Sequence, residues 1–411
     1  MTLYSGQCLS VLADWMLRTM SLIWVYSLTR SGLAVSIVGM AEALPLLLVG
    51  PPAGVLADRW DRARTMAGSA ALRALLLLPL WTVTGADRAW LIVAVMFIVN
   101  AAIQFFTPAL AAAVPLVVAA GEVGEANSLI SLTSGIVYTV APGAAGLSLA
   151  LIGPRAAIAC LLVLYGGAAV ILRRLRLPVG RPVDAQTDTF RGDWVAGIRY
   201  VRESRLLTAL TVTNVVSFLG IGALDILDVV FVTRALHQRP EAVGIMLGCL
   251  GAGTIVGGFL MTVASPHMKQ VQHRVLAISL TLQGIICLAV SVAPSLAVLV
   301  VIQFALGLTV SPSLAAGNTL LQLGSEDTVR GRVMSVYSTS GGVAMLLSMV
   351  GGGAAADIWN VRYVLGAGAL LILAAGMLVA CTVRATPAPL EAGPDGSARW
   401  EPAQTAAGVA G

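Results

Sequence analysis

An all-α membrane protein, with twelve transmembrane helices in two pseudo-symmetric six-helix bundles, is the fold class this sequence predicts. Three observations predict it. Of 411 residues, 58% are apolar and 11% charged, whereas roughly a quarter of the residues in a soluble domain carry charge. Apolar runs of spanning length fall six and six around one polar loop, and basic residues crowd into alternate loops. Twelve spans of about 20 residues consume about 240 positions, which leaves no room for a large soluble domain.

The first run, 8–29, carries Asp14 and Arg18, has no basic leader and lacks a small-x-small cleavage site, so it reads as a span and not a cleaved signal. Runs follow at 33–56, 66–84, 89–113, 126–151 and 155–172, then at 206–233, 241–263, 273–292, 296–319, 334–356 and 362–383. Polar residues or proline interrupt the fourth, seventh and tenth, as membrane helices tolerate when neighbours satisfy the freed backbone groups. The expected organisation is a bundle at 1–172, a cytoplasmic linker at 173–205, a second bundle at 206–383 and a disordered cytoplasmic tail at 384–411, rich in Ala, Pro and Gly. In the linker, Trp194, Ile198 and Val201 share a helical face away from Arg199, Arg202 and Arg205, the pattern of a helix lying on the membrane surface.

The formal net charge is +5. With both termini in the cytoplasm, inside loops hold 17 basic residues and outside loops six, which fixes the orientation of a multi-pass protein of the cytoplasmic membrane. Basicity is then a topology signal set against membrane lipid, and no nucleic-acid partner is expected. Five scattered cysteines and three loop histidines give neither a disulfide framework nor metal-ligand spacing, so no metal and no cofactor are expected.

The halves repeat each other. GVLAD from Gly54 faces GFLMT from Gly258, and TPALAAA from Thr107 faces SPSLAAG from Ser311, both at an offset of 204. Ser128, Ser131 and Gly135 recur as Ser335, Ser338 and Gly342. A duplicated six-helix unit with binding between its halves is the architecture of many secondary transporters. An enzyme is not expected, because there is no paired His, nucleophile elbow or phosphate loop in a suitable context.

Ionisable side chains within a bilayer cost several kcal/mol unless paired or facing water, so each marks a candidate site. Asp14 and Arg18 stand one turn apart, and depth counting matches Arg18 with Glu42 and Asp14 with Arg73. A network of four is expected, serving a site or stapling the first three helices. Polar stripes join it: Asn100, Gln104 and Thr107 on the fourth span; Thr211, Asn214 and Asp225, with Asp228 close by, on the seventh; Gln303, Ser311 and Asn318 on the tenth. These spans lead the triplets, and a wet central cavity explains the regularity; mutual hydrogen bonding between helices is the alternative. An acid in such a cavity can load and release a proton as access alternates.

GVLADRWDRAR, Gly54 to Arg64, lies between spans two and three and resembles the signature loop of the major facilitator superfamily, with Asp61 where that pattern has Gly and Ala63 where it has a basic residue. ALPLLLVGPPAGVLADRWDR, FFTPALAAAVPLVV, EANSLISLTSGIVYTVAPGAAG, GIRYVRESRLL and RGRVMSVYS extend the resemblance to its multidrug, macrolide and siderophore efflux branch, the enterobactin exporter-like proteins, over nearly all of 1–384. The resemblance implies a major facilitator fold and a conformational-switch loop of Gly54, Asp58, Arg59 and Arg62, in which Asp58 latches the cytoplasmic side in the outward-open state. It also implies an antiporter motif at Pro142, Gly143 and Gly146, where Ala141 replaces the motif's first Gly. The expected function is proton-coupled export of a small amphipathic compound by a monomer, with a metabolite importer or a non-transporting membrane sensor as alternatives.

Overall fold

The computed structural model describes residues 2–50, 53, 60–118, 122–175, 190–268, 271–326 and 329–383. Most of the linker, the whole expected tail, and Gly54, Asp58 and Arg59 of the signature loop lie outside the described residues.

Among the described residues the fold is all helical. The first bundle holds α1 (Thr2–Thr29), α2 (Gly32–Leu48), α3 (Arg62–Leu76), α4 (Ala89–Val117), α5 (Val123–Leu151) and α6 (Gly153–Arg173). The linker ends in α7 (Phe190–Glu203). The second bundle holds α8 (Arg205–Val230), α9 (Ala242–Met268), α10 (Gln272–Val292), α11 (Leu296–Leu323), α12 (Arg330–Ile358) and α13 (Val361–Thr382). Eleven helical stretches among the described residues are long and apolar enough to cross a bilayer, and the shorter α2 stands in the place of the second expected span. Several helices outrun their apolar cores: α1 begins at Thr2, α11 runs to Leu323 and α12 begins at Arg330. Hydropathy registers only the stretch that sees lipid, whereas backbone hydrogen bonding carries a helix on into the interface.

Side-chain caps fix the helix starts. Ser31, Asp61, Ser204, Ser295 and Asn360 each accept a hydrogen bond from an amide in the first turn of α2, α3, α8, α11 and α13. Asp61, the departure from the signature pattern, receives the Arg64 amide at 2.7 Å. Large apolar side chains such as Val163, Phe259 and Val301 point outward and are exposed, as lipid-facing residues must be and as a water-soluble surface rarely tolerates in such number.

The two bundles meet along two seams, α2 against α12 and α5 against α9. At the second seam a Cβ on Gly244 would strike the carbonyl of Pro142, and one on Gly146 the carbonyl of Glu241. Only glycine lets these backbones approach so closely. At the first seam Asp357, near the end of α12, accepts from the Ser31 hydroxyl (2.7 Å) and the amides of Gly32 (2.8 Å) and Leu33 (3.0 Å) at the start of α2. Arg234 donates to Asp357 at 3.0 Å and to the carbonyl of Arg30, a residue held at φ 55° in the α1–α2 turn. The Asp357 contact and the Gly146–Gly244 contact lie where α2 and α9 begin and α5 and α12 end.

The linker helix departs from expectation. Ile198 and Val201 of α7 pack against Val333 and Val336 of α12 and Leu207 of α8, so protein and not lipid covers that face. An amphipathic pattern specifies an apolar stripe and says nothing of what covers it. The side chain of Trp194 lies outside the described set.

Candidate functional site

The charges within the spans divide into two clusters, not one network of four. Arg18 on α1 donates from Nε to both carboxylate oxygens of Glu42 on α2, at 2.7 and 2.9 Å, and from Nη2 to Asp225 on α8. This triad ties the first bundle to the second. Its guanidinium also lies 5.3 Å from the Trp15 ring centroid, and Trp15 packs edge-on against Tyr138 of α5 at 4.6 Å.

The second cluster lies inside the first bundle. Arg73 on α3 donates to both oxygens of Asp14 at 2.7 and 2.9 Å, and the Tyr165 hydroxyl on α6 donates to Asp14 at 2.6 Å. Arg73 is fully buried between the rings of Phe106 and Tyr165, at 4.9 and 5.1 Å, whose π faces accept the positive charge left over by the carboxylate. Asp14 and Arg18 share a helix face but each is drawn to another helix, because a bidentate carboxylate–guanidinium contact across helices outweighs a pair one turn apart on the same helix.

A cavity of about 510 Å³ opens beside the triad, within the range of small-molecule sites. Asn214, Asp225, Gln303 and Asn318 line it, as does Asp228. Its wall is nearly all second bundle, with Leu46 and Tyr138 supplied by the first. Asn100 and Gln104 are not among its lining side chains; they donate to Met96 and Asn100 carbonyls of their own helix, α4. A stripe of amides therefore marks two different things: backbone-satisfying groups on α4 and cavity wall on α8 and α11. Asp228 does not pair with Arg234, which is engaged by Asp357. Pro142, Gly143 and Gly146 lie on the α5–α9 seam, and Arg62 opens α3.

Sequence reasoning missed Thr213, Ser217, Gln283 and Tyr138 on the cavity wall. Ser217 follows Asn214 by three residues and Gln283 sits mid-span, so extending the polar-stripe rule to hydroxyls and to α10 finds them. Tyr138 and Tyr165 carry no such signal, since tyrosine is common wherever an apolar ring and one hydrogen bond are wanted.

Known proteins place this arrangement. The family model described as transmembrane secretion effector matches residues 2–409. Macrolide efflux protein A of Streptococcus pyogenes is 24% identical over 295 residues, 69% of this chain and 72% of the relative. The multidrug efflux pump Tap of Mycolicibacterium fortuitum is 27% identical over 340 residues, 80% of this chain and 81% of the relative. Among solved structures, a point mutant of the nucleoside transporter NupG superposes with a TM-score of 0.76 at 13% identity, covering 93% of this chain and 99% of that one. A bacterial homologue of the iron transporter ferroportin, described as inward-facing, superposes at 0.69 with 15% identity, covering 93% and 98%. The chain belongs to the transmembrane secretion effector family and is a multi-pass membrane transporter of the major facilitator superfamily.

Proposed function

We propose that this transporter exports a small amphipathic compound across the cytoplasmic membrane in exchange for protons, with both termini on the cytoplasmic side. The observation that carries the reading is the Glu42–Arg18–Asp225 triad, an ionic tie between two bundles at the edge of a ligand-sized cavity. Arg18 and Glu42 both belong to the first bundle, so the contact that crosses is Arg18–Asp225; protonating Asp225 removes it, and a proton there biases the rocking of one bundle against the other. The efflux names of the relatives support outward direction. A single chain encloses the cavity, so the reading needs no second copy.

Everted vesicles from an efflux-deficient host test it. Energised acid-inside, vesicles carrying the wild-type chain are expected to accumulate erythromycin, and a protonophore or Arg18→Ala is expected to reduce accumulation to the level of empty vesicles. Accumulation untouched by the protonophore overturns proton coupling. Failure across a wider panel of antibiotics and dyes overturns export.

A further inference from the structure

A neighbouring side chain enters one turn of α8. The Leu219 carbonyl and the Ala223 amide stand four residues apart, the pair that an α-helix joins directly. Here Ser348 of α12 stands between them: its hydroxyl accepts from the Ala223 amide at 2.9 Å and donates to the Leu219 carbonyl at 2.6 Å. A side chain inserted into the backbone ladder is one of the few causes of a bend in a helix. Both backbone groups keep a partner, as lipid requires, so the turn can flex without leaving either one bare. Gly220 and Gly222 lie within it, where a Cβ would strike the Gly368 carbonyl of α13 and the Met345 carbonyl of α12.

The two halves of α8 on either side of this turn keep different company. In the inner half, Leu207 and Leu210 pack with Leu276, Leu320 and Val333, all of the second bundle. In the outer half, Ala223, Ile226 and Leu227 belong to a buried cluster that takes in Leu17 of α1 and Val35 and Val38 of α2. Ile226 also lies against Gly39 of α2, and Asp225 meets Arg18 of α1. The change from second-bundle packing to packing against the first bundle falls at the turn that Ser348 enters.

We infer that Ser348 is the pin of a hinge in α8. Its hydroxyl holds the turn open, so that the outer half, with Asp225, moves against the inner half when the contact to Arg18 is made or lost. Ser348 is a positioning residue that acts through Asp225. The second bundle then does not rock as one rigid body: loss of the Arg18 contact frees the outer half of α8 first. The inference rests on reading the Arg18–Asp225 contact as the tie that transport breaks, and it adds the element that moves.

Genetically encoded spin labels at Thr233 and Val298, toward the outer ends of α8 and α11, read the hinge within the second bundle and require no transport. A rigid bundle keeps their separation fixed whatever happens to the triad. Asp225→Asn cuts the tie and is expected to shift the separation by about 3 Å, the travel of a lever of about ten residues turning through about 12°. Ser348→Ala should suppress that shift, because the Ala223 amide then closes directly on the Leu219 carbonyl. Ser348→Thr keeps the hydroxyl and should keep the shift. Adding Ala223→Pro to Ser348→Ala should restore it, since the ring takes the space of the lost hydroxyl and proline has no amide hydrogen with which to close the turn. In everted vesicles Ser348→Ala should slow erythromycin export at least about tenfold while affinity stays within a few-fold, because a conformational step is what it slows. An unchanged thermal midpoint certifies the fold of the serine variants. No shift with Asp225→Asn, or a shift that survives Ser348→Ala, overturns the hinge. Label shifts as expected in a chain that exports nothing refute the export reading and leave the hinge standing; export with an immobile α8 does the reverse.

Discussion

Arg73 and Arg18 are two membrane arginines put to different ends by what surrounds them. Arg73 is fully enclosed and held by Asp14, Phe106 and Tyr165 from three helices of one bundle, a fixed joint. Arg18 is partly open and bonds across the bundle boundary, a joint that can part. Arg73→Ala is expected to lower stability by about 1–3 kcal/mol by taking the guanidinium from the half-buried Asp14, read as a fall in the thermal midpoint in detergent; an unchanged midpoint contradicts the structural role. Arg18→Ala should instead abolish export while the midpoint moves little, and a collapse of folding comparable to that of Arg73→Ala would contradict its role at the cavity. Depth counting along the spans is enough to match each arginine with a carboxylate. It cannot show that the two pairs diverge, because depth is one coordinate and the angle around the bundle, set by close packing, is the other.

The helices are legible because lipid demands long apolar runs with internally satisfied backbones. What covers each face is less so. The stripe on α7 reads the same whether lipid or protein receives it, and here α12 and α8 do, through Val333, Val336 and Leu207. Val201 is 5% exposed, so Val201→Asp should undock the helix and raise its cleavage by protease in detergent, with loss of roughly 2–3 kcal/mol from the apolar contact and the buried acid together. Cleavage at the wild-type rate would return α7 to the membrane surface. The signature loop is read from motif alone; of it, the structure accounts for Asp61, which departs from the pattern and caps α3.

Taken as a whole, the two bundles are fastened toward the side where Asp357, Arg234 and the α2 amides meet, which is the outer side in the orientation proposed above. The carboxylate sits where the partial positive charge of the α2 N-terminus is greatest. Opening outward requires that contact to break. Asp357→Ala is expected to shift the balance of open and closed forms by about five- to thirtyfold toward the outward-open one, the equivalent of about 1–2 kcal/mol for a lost cap and ion pair. Spin labels on the outer ends of α2 and α12 would report longer separations; distances equal to those of the unaltered chain would show that the fastening lies elsewhere, for instance in the α5–α9 glycines. Gly244→Leu should have a similar effect on the other seam, since no side chain fits against the Pro142 carbonyl.

The enclosed Asp14–Arg73 joint has a consequence for how the chain is made. The stretch that begins with α3 is the least apolar of the candidate spans, and it carries an arginine, which makes it a poor substrate for insertion on its own. It enters the bilayer favourably once α1 is already there to offer its aspartate. Insertion of the third segment is then expected to depend on the presence of the first. A nascent chain bearing Asp14→Asn should release α3 to the wrong compartment, which a glycosylation acceptor placed after residue 84 would record.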